Sequence, residues 1–238
     1  MYNKGFILAV IVLFIGVSFQ PIIAEETIAV EKTSDYENVG FEEAKEYLFQ
    51  TLVDISINTE VKGFLYEHKK DLLINDYDCK NAIQKILFQK PKLLNSMLLT
   101  RPKMTYEYLE TNFNRGLEIF NIIGGEESLK IVESVDITDS ELFNELKDII
   151  LNDEELSSKV SVLEEMNNNL KSNLDSWKYP IICYILCMTF LPYFLIEQFF
   201  LDLYLEFYKP LFLFIFYFYS FLGYLIRAPI IFLMMLSC

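Results

Sequence analysis

His68 is the only histidine in this chain of 238 residues. A zinc site wants three or four ligands drawn from Cys, His and carboxylate, so one imidazole in the run EHKK does not make one. Serine hydrolysis through His68 would want a nucleophile elbow of the form GxSxG, which the chain lacks. The acid pairs Glu42-Glu43, Glu126-Glu127 and Glu164-Glu165 have the residue types of glycosidase chemistry. In a chain this acidic they read as solvated helix faces. The sequence has no P-loop, no Rossmann glycine fingerprint, no EF-hand loop and no CxxC. No catalytic, cofactor-binding or metal-ligating residue is therefore assigned, and the chain is read as a protein other than an enzyme, with no cofactor; an enzyme with an unrecognised carboxylate site is the third reading.

Four cysteines carry the remaining side-chain chemistry. Cys79 has no partner nearby in sequence and is expected to be buried. Cys183 and Cys187 are four residues apart, one helical turn, inside a long apolar run. If that run is the first arm of a helical hairpin, Cys238 returns to the side on which Cys183 begins. A Cys183–Cys238 bridge is then geometrically open, beside the plainer reading of thiols as apolar packing.

The sharpest local feature is electrostatic. Between Cys79 and Tyr106 there is no acidic residue, yet Lys80, Lys85, Lys90, Lys92, Arg101 and Lys103 all fall there. Two readings stand. The island is a basic helix edge that pairs with the protein's own carboxylates, or it is a docking patch for lipid headgroups or an acidic partner. Near an anionic membrane each such cation contributes about 1 kcal/mol.

The elements that would position these groups emerge from composition. Residues 25–178 hold 31 of the 34 acidic residues and 17 of the 20 basic ones, a net charge of −14. Residues 179–238 hold only Glu197, Asp202, Glu206, Lys209 and Arg227 as charged groups. The split predicts an acidic body joined to a membrane domain. The acidity excludes nucleic acid as a partner, since duplex binding needs dense cations facing phosphate.

At the N-terminus, Lys4 precedes the twelve-residue apolar run Phe6–Val17, and Pro21 and Ala24 come after it. A run of that length suits a secretory leader over 1–24 better than a membrane span of about 20 residues. An uncleaved signal anchor is the second reading, and either one exports the acidic body. Residues 25–40 lack helical periodicity and are expected to form a flexible arm.

Over 41–178 the apolar spacing is helical throughout. Phe41, Ala44, Leu48, Leu52 and Ile55 mark a helix over about 41–57. A second has Thr59 as its cap and runs through Leu72 and Leu73 to Asn75. Asp78 caps a third, and Pro91 stands in the first turn of a fourth, which Pro102 ends. A longer helix over about 105–123 stops at Gly124-Gly125. EESLKIVESV makes another. Thr138 and Glu141, then Asn152 and Glu155, are spaced as capping boxes for the last two. The fold class is thus all-α: an irregular bundle of about seven or eight short helices, with a stacked array as the alternative.

The tail supplies the membrane part. Tyr179–Gln198 is long enough for one span, with Pro192 inside it. Asp202, Glu206 and Lys209 share a helical face and predict an interfacial turn, because such charges are costly at the bilayer centre. The expected result is a transmembrane hairpin with helices over about 179–199 and 210–236. A single span and then a surface helix is the alternative.

The leader, with its NKG start, the run ILAVIVLFIG and a late proline, resembles secretory leaders of archaeal surface proteins. With the phrases AKEYLFQTLVDI, LFQKPKLL and TYEYLETNFNRGLEI, the body resembles a group of uncharacterised archaeal proteins. Those share one plan of leader, acidic helical body and apolar tail. The resemblance implies location and brings no chemistry. The chain is therefore expected to be a membrane-anchored, extracytoplasmic interaction or scaffold module. Its partners would be the lipid bilayer and a protein not specified by sequence. The alternative is an accessory subunit of a membrane transport or secretion complex acting through its hairpin.

Overall fold

A computed structural model describes residues 35–68, 79–100, 103–133, 140–169, 179–207 and 228–234. The leader, Arg101, Pro102, the caps at Asp78 and Thr138, the segment 208–227 with Lys209 and Arg227, and Cys238 all lie outside the described residues.

Every regular element among the described residues is a helix: α1 (Asp35–Ile57), α2 (Thr59–Glu67), α3 (Lys80–Gln89), α4 (Pro91–Leu99), α5 (Tyr106–Ile123), α6 (Gly125–Glu133), α7 (Ser140–Asn152), α8 (Glu154–Asn169) and α9 (Ile181–Phe207). A seven-residue helical stretch lies over 228–234. The all-α expectation holds. The boundaries shift where a cap competes with the apolar pattern. Helix α1 starts at Asp35, so 35–40 is helical in place of the expected arm. Asn58, not Thr59, caps α2: its Oδ1 accepts from the backbone N–H groups of Glu60 and Val61 at 3.0 and 3.1 Å. Helix α2 runs to Glu67, and the rest of the expected helix, with Leu72, Leu73 and Asn75, lies outside the described residues. Asp153, one residue beyond the expected Asn152, caps α8 by accepting from Glu155 and Leu156 at 3.1 and 3.0 Å. Pro91 does open α4, and Thr105 caps α5. Gly124 ends α5 at φ +94°, a conformation that costs other residues strain.

The two cap residues also bind each other. Asn58 Nδ2 donates to Asp153 Oδ2 at 2.9 Å, so the start of α2 is tied to the start of α8. Nearby, Lys159 Nζ bridges Asp54 Oδ2 on α1 at 2.7 Å and Glu155 Oε1 on its own helix at 2.6 Å. The hydrogen bond to Asp54, and then that to Glu155, raises the Lys159 pKa above its ordinary value. These bonds lie beside the packing of α8 on α1.

Helix α9 lies along α5 and also packs against α1, α3, α4, α6 and α8. Every residue from Ile181 to Phe200 is buried. The stretch Ile181–Leu203 is long and apolar enough to cross a membrane, and among the described residues it is the one such helix. The same stretch is covered by the protein's own helices. The hydrophobic cluster runs unbroken from Ala44 on α1 through Leu109 and Ile119 on α5 to Leu186 and Phe190 on α9. The compositional boundary at 178/179 is therefore crossed by one shared core. Rings bind the same three helices: Phe113 on α5 lies 6.3 Å from Phe49 on α1 and 6.5 Å from Tyr184 on α9.

Helix α9 does not stop at Gln198. It continues through Asp202 to Phe207, in place of the expected interfacial turn. No hairpin is seen among the described residues. The stretch 228–234 is buried as well, with Phe232 stacked 5.6 Å from Phe143 of α7.

Candidate functional site

The described cations of the basic island meet different surroundings. Helices α3 and α4 carry Lys80, Lys85, Lys90 and Lys92, joined through Lys90 alone. Each helix buries one stripe: Ala82, Ile83 and Ile86 on α3, and Leu93, Leu94 and Met97 on α4. Lys90 Nζ meets Glu118 Oε2 of α5 at 3.0 Å, so this cation pairs with the body's own carboxylate. Lys80 is also engaged within the chain. Lys85, Lys92 and Lys103 are exposed, and none has an ion pair among the described residues. Arg101 lies outside the described residues.

Phe88 and Leu99 stand on the same two helices. They are 80% and 68% exposed, the highest values for large apolar side chains among the described residues. Helical spacing puts Phe88 one turn from Lys85 and near Gln84. It likewise puts Leu99 two turns from Lys92. The sequence signal for these two residues was slight. Each is an apolar residue off the buried stripe, a mismatch that a count of apolar positions absorbs.

A second polar cluster, which local sequence pattern does not reveal, surrounds Arg115 of α5. Its Nη2 donates to Ser96 O at 3.1 Å and to Thr100 Oγ1 at 2.8 Å, and its Nη1 donates to Asn112 Oδ1 at 3.3 Å. A guanidinium at the C-terminal end of α4 meets the negative end of the helix dipole, at a carbonyl that also accepts from Thr100 Oγ1 at 2.6 Å. The adjoining pocket is lined by Thr100, Tyr108, Asn112, Arg115, Pro192 and Tyr193, among others, and has room for about one water molecule. Its size suits a structural water between α4, α5 and α9 and is too small for an organic substrate. Arg115 acts here as a clasp.

Pro192 and Gly116 form a third feature. Pro192 has no N–H, so the carbonyl of Met188 one turn earlier loses its partner within α9. That carbonyl faces α5 at Gly116, where a Cβ would stand 1.8 Å from Met188 O. Glycine is required because the two backbones touch. The N-terminus of α9 is met from α8, where Asn167 Oδ1 accepts from Ile182 N at 3.2 Å.

Cys79 and Cys187 are buried and take no part in a disulfide. Cys183 is disulfide-bonded, and the bridge considered for it ends at Cys238, outside the described residues. Cys187 Sγ lies 3.9 Å from Cys183 Sγ within the turn that joins them. His68 is half-buried at the end of α2, and its ring stacks on Phe64 at 4.6 Å. Among the described residues no three His, Cys, Asp or Glu side chains gather as metal ligands. Glu42, Glu43, Glu126, Glu164 and Glu165 are exposed. The Lys130 hydrogen bond holds the Glu126 carboxyl below its ordinary pKa, the behaviour of a surface ion pair.

Comparison with protein-family models, with curated proteins and with solved structures finds no match.

Proposed function

We propose that this protein is a membrane-associated helical interaction module of the cell envelope. Its acidic body stands on the extracytoplasmic face, and its apolar C-terminal region supplies the membrane contact. The observation that carries this reading is the span-length apolar helix at Ile181–Leu203. The leader-like N-terminus supports export, and the chain's net charge of −14 suits a soluble outer surface. Extraction of native membranes with alkaline carbonate tests the anchoring. The anchored protein stays in the pellet until detergent is added, whereas full release by carbonate overturns the anchor.

A second reading is favoured by the burial of α9. Here the helix serves the body as its core, and the membrane is met by the surface. A bilayer and a protein interior both withdraw apolar side chains from water, so the same sequence satisfies either. Under this reading carbonate releases a folded protein. An accessory-subunit role through the hairpin would need α9 to offer a face to a partner helix, and the six helices packed around α9 leave little of it free.

A further inference from the structure

We propose that the outer face of the α3–α4 pair is a docking surface for an anionic lipid bilayer, with Phe88 and Leu99 entering the headgroup layer and Lys85 and Lys92 meeting its phosphates. The proposal rests on the second reading above, in which the surface of the body meets the membrane, and names the surface and the lipid chemistry involved.

Both helices turn their buried stripes inward. Helices α3 and α4 each pack against α9, and α3 packs against α5 as well. Their outer faces therefore lie on the flank turned away from α9. On α3 that face carries Asn81, Gln84, Lys85 and Phe88, at positions one and two turns apart. On α4 it carries Lys92, Asn95 and Leu99. Neither helix contributes a carboxylate. In a chain of net charge −14 this is a face of opposite sign, with its exposed apolar groups at Phe88 and Leu99.

Charge complementarity selects an anionic occupant. The shape of the face selects lipid over an acidic protein. Phe88 and Leu99 project singly from separate helices, 80% and 68% exposed. Isolated apolar side chains flanked by lysines suit a deformable layer that closes around each. The aliphatic stems of Lys85 and Lys92 can lie against that layer while their ammonium groups reach phosphate. Lys90, held by Glu118, is left out of the contact.

The experiment uses the full chain. Its one tryptophan, Trp177, is replaced (Trp177→Phe), and Phe88→Trp supplies a probe at the proposed contact. The protein is mixed with vesicles of pure phosphatidylcholine or of phosphatidylcholine with 30% phosphatidylglycerol, a composition set on the order of a natural anionic leaflet. Co-sedimentation reports whether the chain binds at all. Emission and quenching by brominated acyl chains report whether position 88 enters lipid.

The expected result is a blue shift with bromine quenching on the anionic vesicles, weakened by salt. Lys85→Gln with Lys92→Gln lowers that partition by roughly fivefold per lysine, about twenty-five-fold together. If the chain sediments with vesicles while the indole stays in water, the docking face is overturned and membrane association stands. If the chain sediments with neither vesicle, both fall. A shift of equal size on neutral vesicles, or one produced by polyglutamate and absent with anionic lipid, also overturns the proposal.

Discussion

Replacing Gly116 by alanine is the most exacting probe of how α9 is held. The added methyl carbon would sit 1.8 Å from Met188 O, 2.6 Å from Met188 C and 2.9 Å from Met188 Cα. A carbon facing a carbonyl oxygen rests at about 3.3 Å, so the two backbones must part by roughly 1.5 Å. All three obstructing atoms are backbone, so no side chain can turn aside. Overpacking of a filled core costs about 1–3 kcal/mol, and the upper end applies where a whole helix must move. Alanine returns about 1 kcal/mol through its higher helix propensity. The net expectation is a loss of about 2 kcal/mol or more. For a chain of this length that lowers the melting temperature by roughly 4–8 °C.

Gly63 supplies the control. It is also helical, in α2, but a Cβ there meets nothing within 4 Å. Gly63→Ala should therefore stabilise by about 0.5–1 kcal/mol. The same chemical change is expected to act with opposite sign at the two sites. Thermal melts of the purified full chain in one mild detergent, monitored by helical circular dichroism, read both. A Gly116→Ala variant that melts at or above the parent temperature would refute the backbone contact between α9 and α5.

The same contacts set three further outcomes. Asn58→Ala and Asp153→Ala each remove a helix cap worth about 1 kcal/mol. Because the two side chains also bind each other at 2.9 Å, the double variant should depart from additivity by at least about 0.5 kcal/mol; additive losses in a denaturant-based cycle would sink the coupling. Lys159→Met should cost about 0.2–1 kcal/mol at neutral pH. The folded-state pKa of Lys159 is raised by Asp54 and Glu155, so its contribution is whole below the ordinary value of 10.5 and fades as pH rises past it towards the folded value. The gap between parent and variant should thus be constant from pH 7 to about pH 10 and shrink above that; a gap that grows with alkali would contradict the assignment. Removal of 179–238 should abolish cooperative unfolding, since six helices lose the surface they share; a fragment ending at Lys178 that melts in one sharp transition would show that the body has a core of its own.

Much of the helical layout was legible because its signals are local. Pro91 at the start of α4, Thr105 before α5 and Gly124 after it each act within one turn, through a fixed φ, a hydroxyl acceptor or a missing Cβ. Where two local signals competed, the structure settled the choice. Asn58 and Thr59 are both good caps, and Asn58 prevails with a side-chain amide that also reaches Asp153, 95 residues away. The basic island was legible as a run without acids. Its division was not, because Glu118 lies on another helix and withdraws Lys90 from the group. Arg115 went unread for the same reason: its acceptors Ser96 and Thr100 come close only when α4 docks on α5.

By itself the sequence determined that this chain is helical, that most of its charge lies in 25–178, and that Tyr179–Gln198 must leave water. Those properties depend on residue type and short-range spacing, which any fold inherits. Which medium receives the apolar helix is a different matter, because lipid and a protein core reward the same side chains. Tertiary structure decided that α9 is sheathed by α1, α3, α4, α5, α6 and α8. The physical reason lies in Gly116 and Pro192. A missing Cβ on one helix and a missing N–H on the other let two backbones meet, and neither absence signals its partner until the helices are side by side.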